Sequence, residues 1–238
     1  MIKAIFFDLD GTLLPMDENK YTMYYFKLLC DKMSQYGLEG EKLQAAIWGG
    51  VKAMYKNDGS KSNEEVFFDY FKTIFGEESL SLKPVFDEFY RNEFKQTINC
   101  VGKNPWAREI ISCAKANFSY VILSTNPIFP RVATIERMAF VDLNEDDFDF
   151  ITTYENSCYT KPNPKYFLNI LDKYNLKPNE VVLFGNNTLE DYMCATKIGI
   201  KTILVGENII HNAGEPDDID VIKLSELKDR LLSLKDSE

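Results

Sequence analysis

Residues 2–14 read IKAIFFDLDGTLL and place the strongest constraint on the fold of this 238-residue chain. The apolar run from Ile2 to Phe7 is short, β-branched and aromatic, which predicts a buried β-strand. Acidic residues follow at Asp8 and Asp10, and Gly11 then allows the chain to turn sharply. The stretch therefore predicts a strand that presents two carboxylates at its carboxyl end.

Short apolar runs of the same kind recur later in the chain, with helix-like stretches between them. This alternation predicts βαβ units and an α/β fold, a doubly wound parallel sheet of Rossmann-like type. The further predicted strands are 121–125, 149–153, 181–185, 202–205 and 220–222, and the predicted helices are 106–116, 131–139, 164–174, 189–198 and 224–234.

Polar residues end several of these predicted strands. In a parallel sheet the ligand crevice lies outside the carboxyl ends of the strands. We therefore expect Asp8, Asp10, Thr125, Asn126 and Asn186 to converge on one edge of the sheet.

Residues 15–100 interrupt the alternation with long, aromatic-rich helical patterns. They predict an all-helical cap inserted after the first strand, with residues 1–14 and 101–238 forming the α/β core. The cap aromatics, together with Trp48 and Trp106, are expected to be core residues rather than a binding platform. The tail from Lys235 to Glu238 is expected to be frayed.

Composition narrows the classes of function and partner. The formal net charge of −10 argues against a broad nucleic-acid footprint. No run approaches the ~20 apolar residues of a membrane span, and the N-terminus is unlike a signal peptide. The five cysteines are scattered, which favours free thiols in a reducing compartment. We expect a cytoplasmic protein with no nucleic-acid or membrane partner.

Asp8 and Asp10 have the spacing needed for phosphoryl transfer. Carboxylates two residues apart at a strand end face the same way. One can attack phosphorus while the other delivers a proton to the leaving group. A hard cation held by oxygen ligands would offset their charge.

Four motifs, in order along essentially the whole chain, resemble those of the haloacid dehalogenase superfamily. They are DLDGTL at 8–13, STN at 124–126, TKPNP at 160–164, and GNNTLED at 185–191 followed by Ala195 and Gly199.

The resemblance implies a role for each matching residue. Asp8 would form an aspartyl-phosphate, and Asp10 would protonate the leaving oxygen and then activate water. Thr125, with Asn126 beside it, and Lys161 would bind the phosphoryl oxygens. The lysine would also supply the local positive charge that the acidic chain otherwise lacks.

The fourth motif departs from the pattern of the family, because Asn186 occupies the place of an aspartate that binds magnesium. An amide oxygen can bind Mg²⁺ but brings no charge. The implied ligands are the Asp8 carboxylate, the Asp10 backbone carbonyl and the Asn186 side chain. Asp191 would orient that shell or reach the metal through water. Asn187 and Glu190 also fit an N-cap and capping box.

The resemblance implies a Mg²⁺-dependent hydrolase, a phosphatase of small phosphorylated metabolites with a helical C1-type cap, monomeric or weakly homo-oligomeric. A phosphomutase on a sugar phosphate uses the same intermediate and stays open. A fold-retaining binding or regulatory protein with weakened metal ligation also stays open, supported by Asn186. Hydrolytic dehalogenation is disfavoured, because the dehalogenases of the family lack the acid found here at Asp10.

Overall fold

The computed structural model describes residues 1–235, so most of the tail predicted to be frayed lies outside the described residues. A six-stranded parallel sheet has the order β3-β2-β1-β4-β5-β6. This is the order of a doubly wound α/β fold, and the predicted fold class is confirmed. The strands are β1 Ala4–Phe7, β2 Tyr120–Leu123, β3 Phe150–Ile151, β4 Val181–Gly185, β5 Lys201–Val205 and β6 Val221–Ile222.

The helices fall into two groups along the chain. The first group lies between β1 and β2, where an all-helical insert was predicted: α1 Glu18–Met33, α2 Gly40–Tyr55, α3 Asn63–Phe75 and α4 Lys83–Arg91. The second group alternates with the strands: α5 Ala107–Asn117, α6 Arg131–Ala139, α7 Lys165–Tyr174, α8 Cys194–Thr196 and α9 Leu227–Lys235. Short 3-10 segments are Ser34–Tyr36, Glu77–Leu82, Glu93–Cys100, Glu145–Asp147, Pro178–Glu180 and Leu224–Glu226.

Successive residues of each strand point to opposite sides of the sheet, and both faces are covered by other parts of the chain. In β1, Ile5 and Phe7 join one apolar cluster, while Ala4 and Phe6 join the other. The Ile5 cluster continues into the aromatic interior of α1–α4. The inserted helices and the sheet therefore share one hydrophobic core.

The chain leaves the sheet and returns to it at adjacent points. Met16 and Val101 form an antiparallel bridge, and the Gly102 backbone N–H donates to the Pro15 carbonyl at 2.6 Å. The Asn104 side-chain amide donates to the Leu13 carbonyl at 2.7 Å. We propose the division into a cap of residues 15–100 and a core of residues 1–14 and 101–238 on this basis.

Two local expectations are wrong, the capping box and the burial of two tryptophans. The predicted helix 189–198 is present as a π-helical segment, Thr188–Met193, followed by the single turn of α8. Asn187 caps it as expected, but the capping box does not form, because Glu190 bonds elsewhere. Trp48 and Trp106 are not core residues, since 53% and 41% of their surfaces are exposed.

The expectation for the cysteines is confirmed. All five cysteines are free thiols. Among the described residues, no helix combines the length and hydropathy needed to cross a membrane.

Candidate active site

The ends of three neighbouring strands bring the predicted site residues together. The Asp8 N–H donates to the Phe184 carbonyl at 2.8 Å, and the Ser124 N–H donates to the Phe7 carbonyl at 2.7 Å. Asp8, Thr125 and Asn186 consequently follow β1, β2 and β4 at one edge of the sheet. Lys161 reaches the same edge from the segment before α7, where it precedes a cis proline.

Lys161 is paired with two carboxylates in the interior. Its Nζ lies 2.8 Å from Asp8 Oδ1 and 2.5 Å from Asp191 Oδ1, and only 1% of its side chain is exposed. Burial opposes its charge, but the carboxylates of Asp191 and Asp8 together raise the pKa of Lys161 well above its usual value. Burial raises the pKa of Asp8, and Lys161 offsets part of that rise. The ammonium group therefore neutralises charge at the predicted nucleophile.

Asp191 has both carboxylate oxygens engaged by the protein. Oδ1 accepts from Lys161, while Oδ2 accepts from the backbone N–H groups of Asn186 and Asn187 at 3.0 Å each. Gly185 is needed for this arrangement, since a Cβ there would lie 2.4 Å from the Asp191 carboxyl carbon. Of the two functions considered for Asp191, the geometry favours orienting its neighbours over reaching a metal.

The Asn186 amide is held at both its nitrogen and its oxygen. The Asn186 Nδ2 donates to the Asn208 carbonyl at 2.9 Å. The Thr12 hydroxyl lies 3.4 Å from Asn186 Oδ1 and 3.3 Å from Asp8 Oδ2, so both oxygens share this hydroxyl as a neighbour. Gly11, with φ of +79°, passes so close that a Cβ would lie 2.0 Å from Asn186 Nδ2. Glycine in D-x-D-G is therefore required by both backbone angle and space.

Asp10 pairs with Arg137, a residue that the sequence analysis missed. The guanidinium holds Asp10 Oδ2, stacks 4.4 Å from the centre of the Phe129 ring, and is 1% exposed. Asp10 Oδ1 is buried and has no hydrogen-bond partner among the described residues. Burial raises the pKa of Asp10, and Arg137 offsets part of the rise. One oxygen is therefore fixed, and the other is left to a ligand or a proton.

Thr125 and Asn126 contact the site in different ways. The Thr125 backbone is fixed by hydroxyl groups of Thr152 and Tyr166, which donate to its carbonyl. Its own hydroxyl makes no hydrogen bond to the described residues, and it lines the cavity beside Asp8. Asn126 Oδ1 accepts from the Lys161 N–H at 3.2 Å, so Asn126 helps to position the lysine segment.

Tyr55 and Glu190 connect the inserted helices to the sheet, and neither was singled out from sequence as a site residue. Glu190 accepts from the Tyr55 hydroxyl at 3.0 Å and from the Asn126 amide at 2.9 Å. This contact places α2 directly over the carboxyl ends of the strands.

Comparison with known proteins decides the family. A model of the haloacid dehalogenase-like hydrolases matches residues 5–205, most of the chain. The protein belongs to the haloacid dehalogenase-like hydrolases. The inferred resemblance is thus confirmed, and the chain is that of a hydrolytic enzyme.

Relatives of this hydrolase cover most of its length. It is 26% identical over 205 residues to the glyceraldehyde 3-phosphate phosphatase of Pyrococcus furiosus, covering 85% of this chain and 80% of that protein. It is 25% identical over 212 residues to the same-named protein of Methanothermobacter thermautotrophicus, covering 88% of each. A phosphatase structure from Thermococcus onnurineus superposes with a TM-score of 0.61 at 19% identity, covering 97% and 98% of the two chains, and shows the shared fold.

The oxygen atoms at the strand ends of this hydrolase suit a hard divalent cation. Asp8 Oδ2 and Asn186 Oδ1 both contact the Thr12 hydroxyl, and no described backbone N–H donates to the Asp10 carbonyl. Carboxylate, amide and carbonyl oxygens are ligands that Mg²⁺ accepts. Within residues 1–235, no group of three or more His, Cys, Asp or Glu side chains has metal-binding geometry. A cation here would accordingly depend on Asn186 and on backbone oxygen.

A cavity of about 250 Å³ extends from the carboxylates into the inserted helices. Its polar end contains Asp8, Asp10, Thr125, Asn126 and Asn186, which confirms that these strand-end residues converge. Its other end is lined by apolar and aromatic side chains of α1–α4. A bound phosphate ester would have its leaving group among those side chains.

Proposed function

We propose that this hydrolase is a Mg²⁺-dependent phosphatase that cleaves a small phosphorylated metabolite through an aspartyl-phosphate at Asp8. The observation that carries the proposal is the pairing of buried Asp8 with Lys161, beside an Asp10 oxygen that lacks a protein partner. The two relatives are named as phosphatases of glyceraldehyde 3-phosphate, a small phosphate monoester, and this supports the proposal. The predicted monomeric or weakly homo-oligomeric state remains a proposal.

Each residue has a defined task in this mechanism. Asp8 attacks phosphorus through its carboxylate, while the lysine and the Thr125 hydroxyl bind the phosphoryl oxygens. Asp10 gives a proton from Oδ1 to the leaving alkoxide, and Arg137 keeps the carboxyl in place through Oδ2. The same Oδ1 then accepts a proton from the water that attacks the aspartyl-phosphate. The helices over the site exclude bulk water, as lids commonly do.

Magnesium, held by the Asp8 carboxylate, the Asp10 carbonyl and the Asn186 amide oxygen, would supply positive charge to the phosphoryl oxygens. The amide leaves the ligand set with one negative charge fewer than an aspartate would. We therefore expect activity only when the metal is present. We also expect the Mg²⁺ concentration for half-maximal rate to be higher than for an enzyme with aspartate at this position.

The direct test is hydrolysis of p-nitrophenyl phosphate with Mg²⁺, with EDTA, and with Mg²⁺ restored after EDTA. We expect turnover only when Mg²⁺ is present. Phosphate binding without turnover in every condition would instead favour the binding-protein alternative. Activity unaffected by EDTA would remove the metal from the proposal.

Asn186→Asp tests the third metal ligand. A carboxylate adds charge at the metal, so we expect the Mg²⁺ concentration for half-maximal rate to fall. The variant also replaces the amide that donates to the Asn208 carbonyl. The metal-free protein should therefore lose about 1–3 kcal/mol of unfolding free energy, the usual result of leaving a buried carbonyl unpaired. An unchanged Mg²⁺ titration would place residue 186 away from the metal.

Glu18 provides a pH-dependence test at the cavity mouth. Although Glu18 is exposed as a residue, desolvation of its carboxyl and the charges of Asp10, Glu190 and Asp191 raise its pKa to about 7, against an opposing effect of Lys161. The group is neutral below that pH and negative above it. We expect KM for a phosphate dianion to rise roughly two- to fivefold between pH 6.5 and 8, a typical effect for an exposed charge.

The control for that test is Glu18→Gln, which has no titrating group at this position. The change of its KM with pH should reflect only the ionisation of the substrate. Identical pH profiles of KM in the two proteins would contradict the assignment.

A further inference from the structure

The inner part of the cavity indicates what kind of leaving group the enzyme accepts. We infer that the substrate is the phosphate monoester of an alcohol carrying an uncharged, flat, apolar group of one or two rings. This inference rests on the proposed phosphatase function and adds the class of substrate to it.

The first support is the surface that faces the cavity. Aromatic residues from α1, α3 and α4 line it, including Phe26, Phe67, Phe68 and Phe86. Each of them keeps between 5% and 8% of its surface accessible, whereas Phe71 beside them is fully buried and does not line the cavity. The ring surfaces are therefore presented to a ligand as well as packed against one another.

The second support is the use of the tyrosine hydroxyls. Those of Tyr25 and Tyr90 lie 3.0 Å apart and bond to each other. The Tyr21 hydroxyl accepts from Thr97 at 3.4 Å, and the Tyr55 hydroxyl donates to Glu190. Four of the five tyrosines that line the cavity therefore have hydroxyls bonded to protein, and Tyr154 is the exception. The cavity offers more ring faces than free hydroxyl groups, which suits an apolar group better than a polyhydroxylated sugar.

The third support is charge. Among the residues lining the cavity, the one cation is Arg137, which is paired with Asp10 and stacked on Phe129. The lining carboxylates include Glu18 and Glu190. A second phosphate or a carboxylate on the substrate would find no unpaired cation among these lining residues. Bisphosphates and phosphorylated hydroxy acids are accordingly disfavoured.

Size sets the limit on the group. A dry apolar cavity of about 150 Å³ holds benzene. The cavity here has about 250 Å³, part of which the phosphate fills. One ring fits easily and two fused rings approach the limit.

The test compares kcat/KM for 2-phenylethyl phosphate and sn-glycerol 3-phosphate, both alcohol esters, at saturating Mg²⁺. We expect a preference of at least about tenfold for the phenylethyl ester, the lower end of what a hydrophobic pocket gives. p-Nitrophenyl phosphate shows whether the enzyme is active at all. 2-Aminoethyl phosphate, which has a small cationic leaving group, tests whether the cavity prefers a positive charge to an apolar ring.

A variant pair locates the preference in the cavity. Trp48 lines the cavity and Trp106 does not, although both are exposed enough for truncation to spare the core. Trp48→Ala should lower the phenylethyl-to-glycerol ratio at least about threefold, as expected for lost ring contact, and Trp106→Ala should leave it unchanged. Val51→Trp, which fills the cavity from α2, should lower the ratio further.

The outcomes separate the inference from the proposed function. Equal rates on the two esters, or a preference for glycerol 3-phosphate or the aminoethyl ester, would overturn the apolar assignment and leave a phosphatase. A ratio that Trp106→Ala and Trp48→Ala lower equally would also overturn it. Absence of turnover on every ester, p-nitrophenyl phosphate included, would remove the proposed function and the inference together.

Discussion

Asp8→Asn should lower hydrolysis of p-nitrophenyl phosphate by about 10⁴-fold or more, the scale of loss seen when a catalytic nucleophile is removed. The amide has the shape of the carboxyl but is a poor nucleophile and cannot form an acyl-phosphate. Lys161 keeps its second partner, Asp191, so the buried ammonium is not left alone. The variant should therefore fold, with its circular dichroism spectrum unchanged.

The matched control is Asp229→Asn, the same chemical change at an exposed position of α9. It should retain the wild-type rate, which shows that removal of one negative charge is not itself the cause. Turnover by Asp8→Asn within about tenfold of wild type would refute the nucleophile assignment. Even the loss of a general acid or base typically lowers a rate by more than tenfold, and the loss of a nucleophile should lower it further.

Lys161→Met should have the largest effect on stability. Methionine fills the space of the lysine stem but leaves the buried carboxylates of Asp8 and Asp191 without their cation. Removing one partner of a buried pair typically costs about 3–5 kcal/mol of unfolding free energy. Urea denaturation followed by tyrosine and tryptophan fluorescence measures it. Activity should fall as well, because the phosphoryl oxygens lose their ammonium ligand.

Two further variants show whether burial of the pair is the cause. Lys228→Met breaks a surface pair with Glu109 and should leave the denaturation midpoint unchanged. Adding Asp191→Asn to Lys161→Met removes one of the unpaired carboxylates and should recover part of the lost stability. A denaturation midpoint of Lys161→Met equal to that of wild type would mean that the lysine is not needed to neutralise these acids.

The sheet and the strand-end residues were predictable because their signals are local. A short apolar run followed by Asp8, Asp10 and Gly11 identifies a strand and its carboxyl end within a dozen residues. The order of the strands follows from the general behaviour of doubly wound sheets. Asn186 was located by its spacing from Asp191, which the structure shows to be a direct contact through the Asn186 backbone N–H.

Arg137 could not be predicted from one sequence, because its partner Asp10 lies 127 positions away. An arginine in the last turn of a helix ordinarily suits the helix dipole and faces solvent. Nothing local distinguishes Arg137 from such a residue. Only the packing of α6 against the sheet makes it a buried partner of the acid.

The failed capping box has a different cause, which is competition for a backbone donor. Glu190 would have accepted from the Asn187 N–H, but Asp191 takes that group while its other oxygen binds Lys161. Glu190 is then available to Tyr55 and Asn126. Trp48 was misjudged because apolar residues that line a cavity and those that fill a core have the same helical periodicity.

The bridge between Met16 and Val101 bears on how proteins of this design can diversify. The two connections between sheet and helices, near Met16 and near Val101, are hydrogen-bonded neighbours. The helices between them can therefore be exchanged for others of different length, provided that the new helices fill the hydrophobic core shared with the sheet. The α/β core then carries the chemistry, and the inserted helices carry the choice of substrate. A chimaera that joins the helices of a relative at these two points should acquire the substrate preference of that relative on an unchanged catalytic edge.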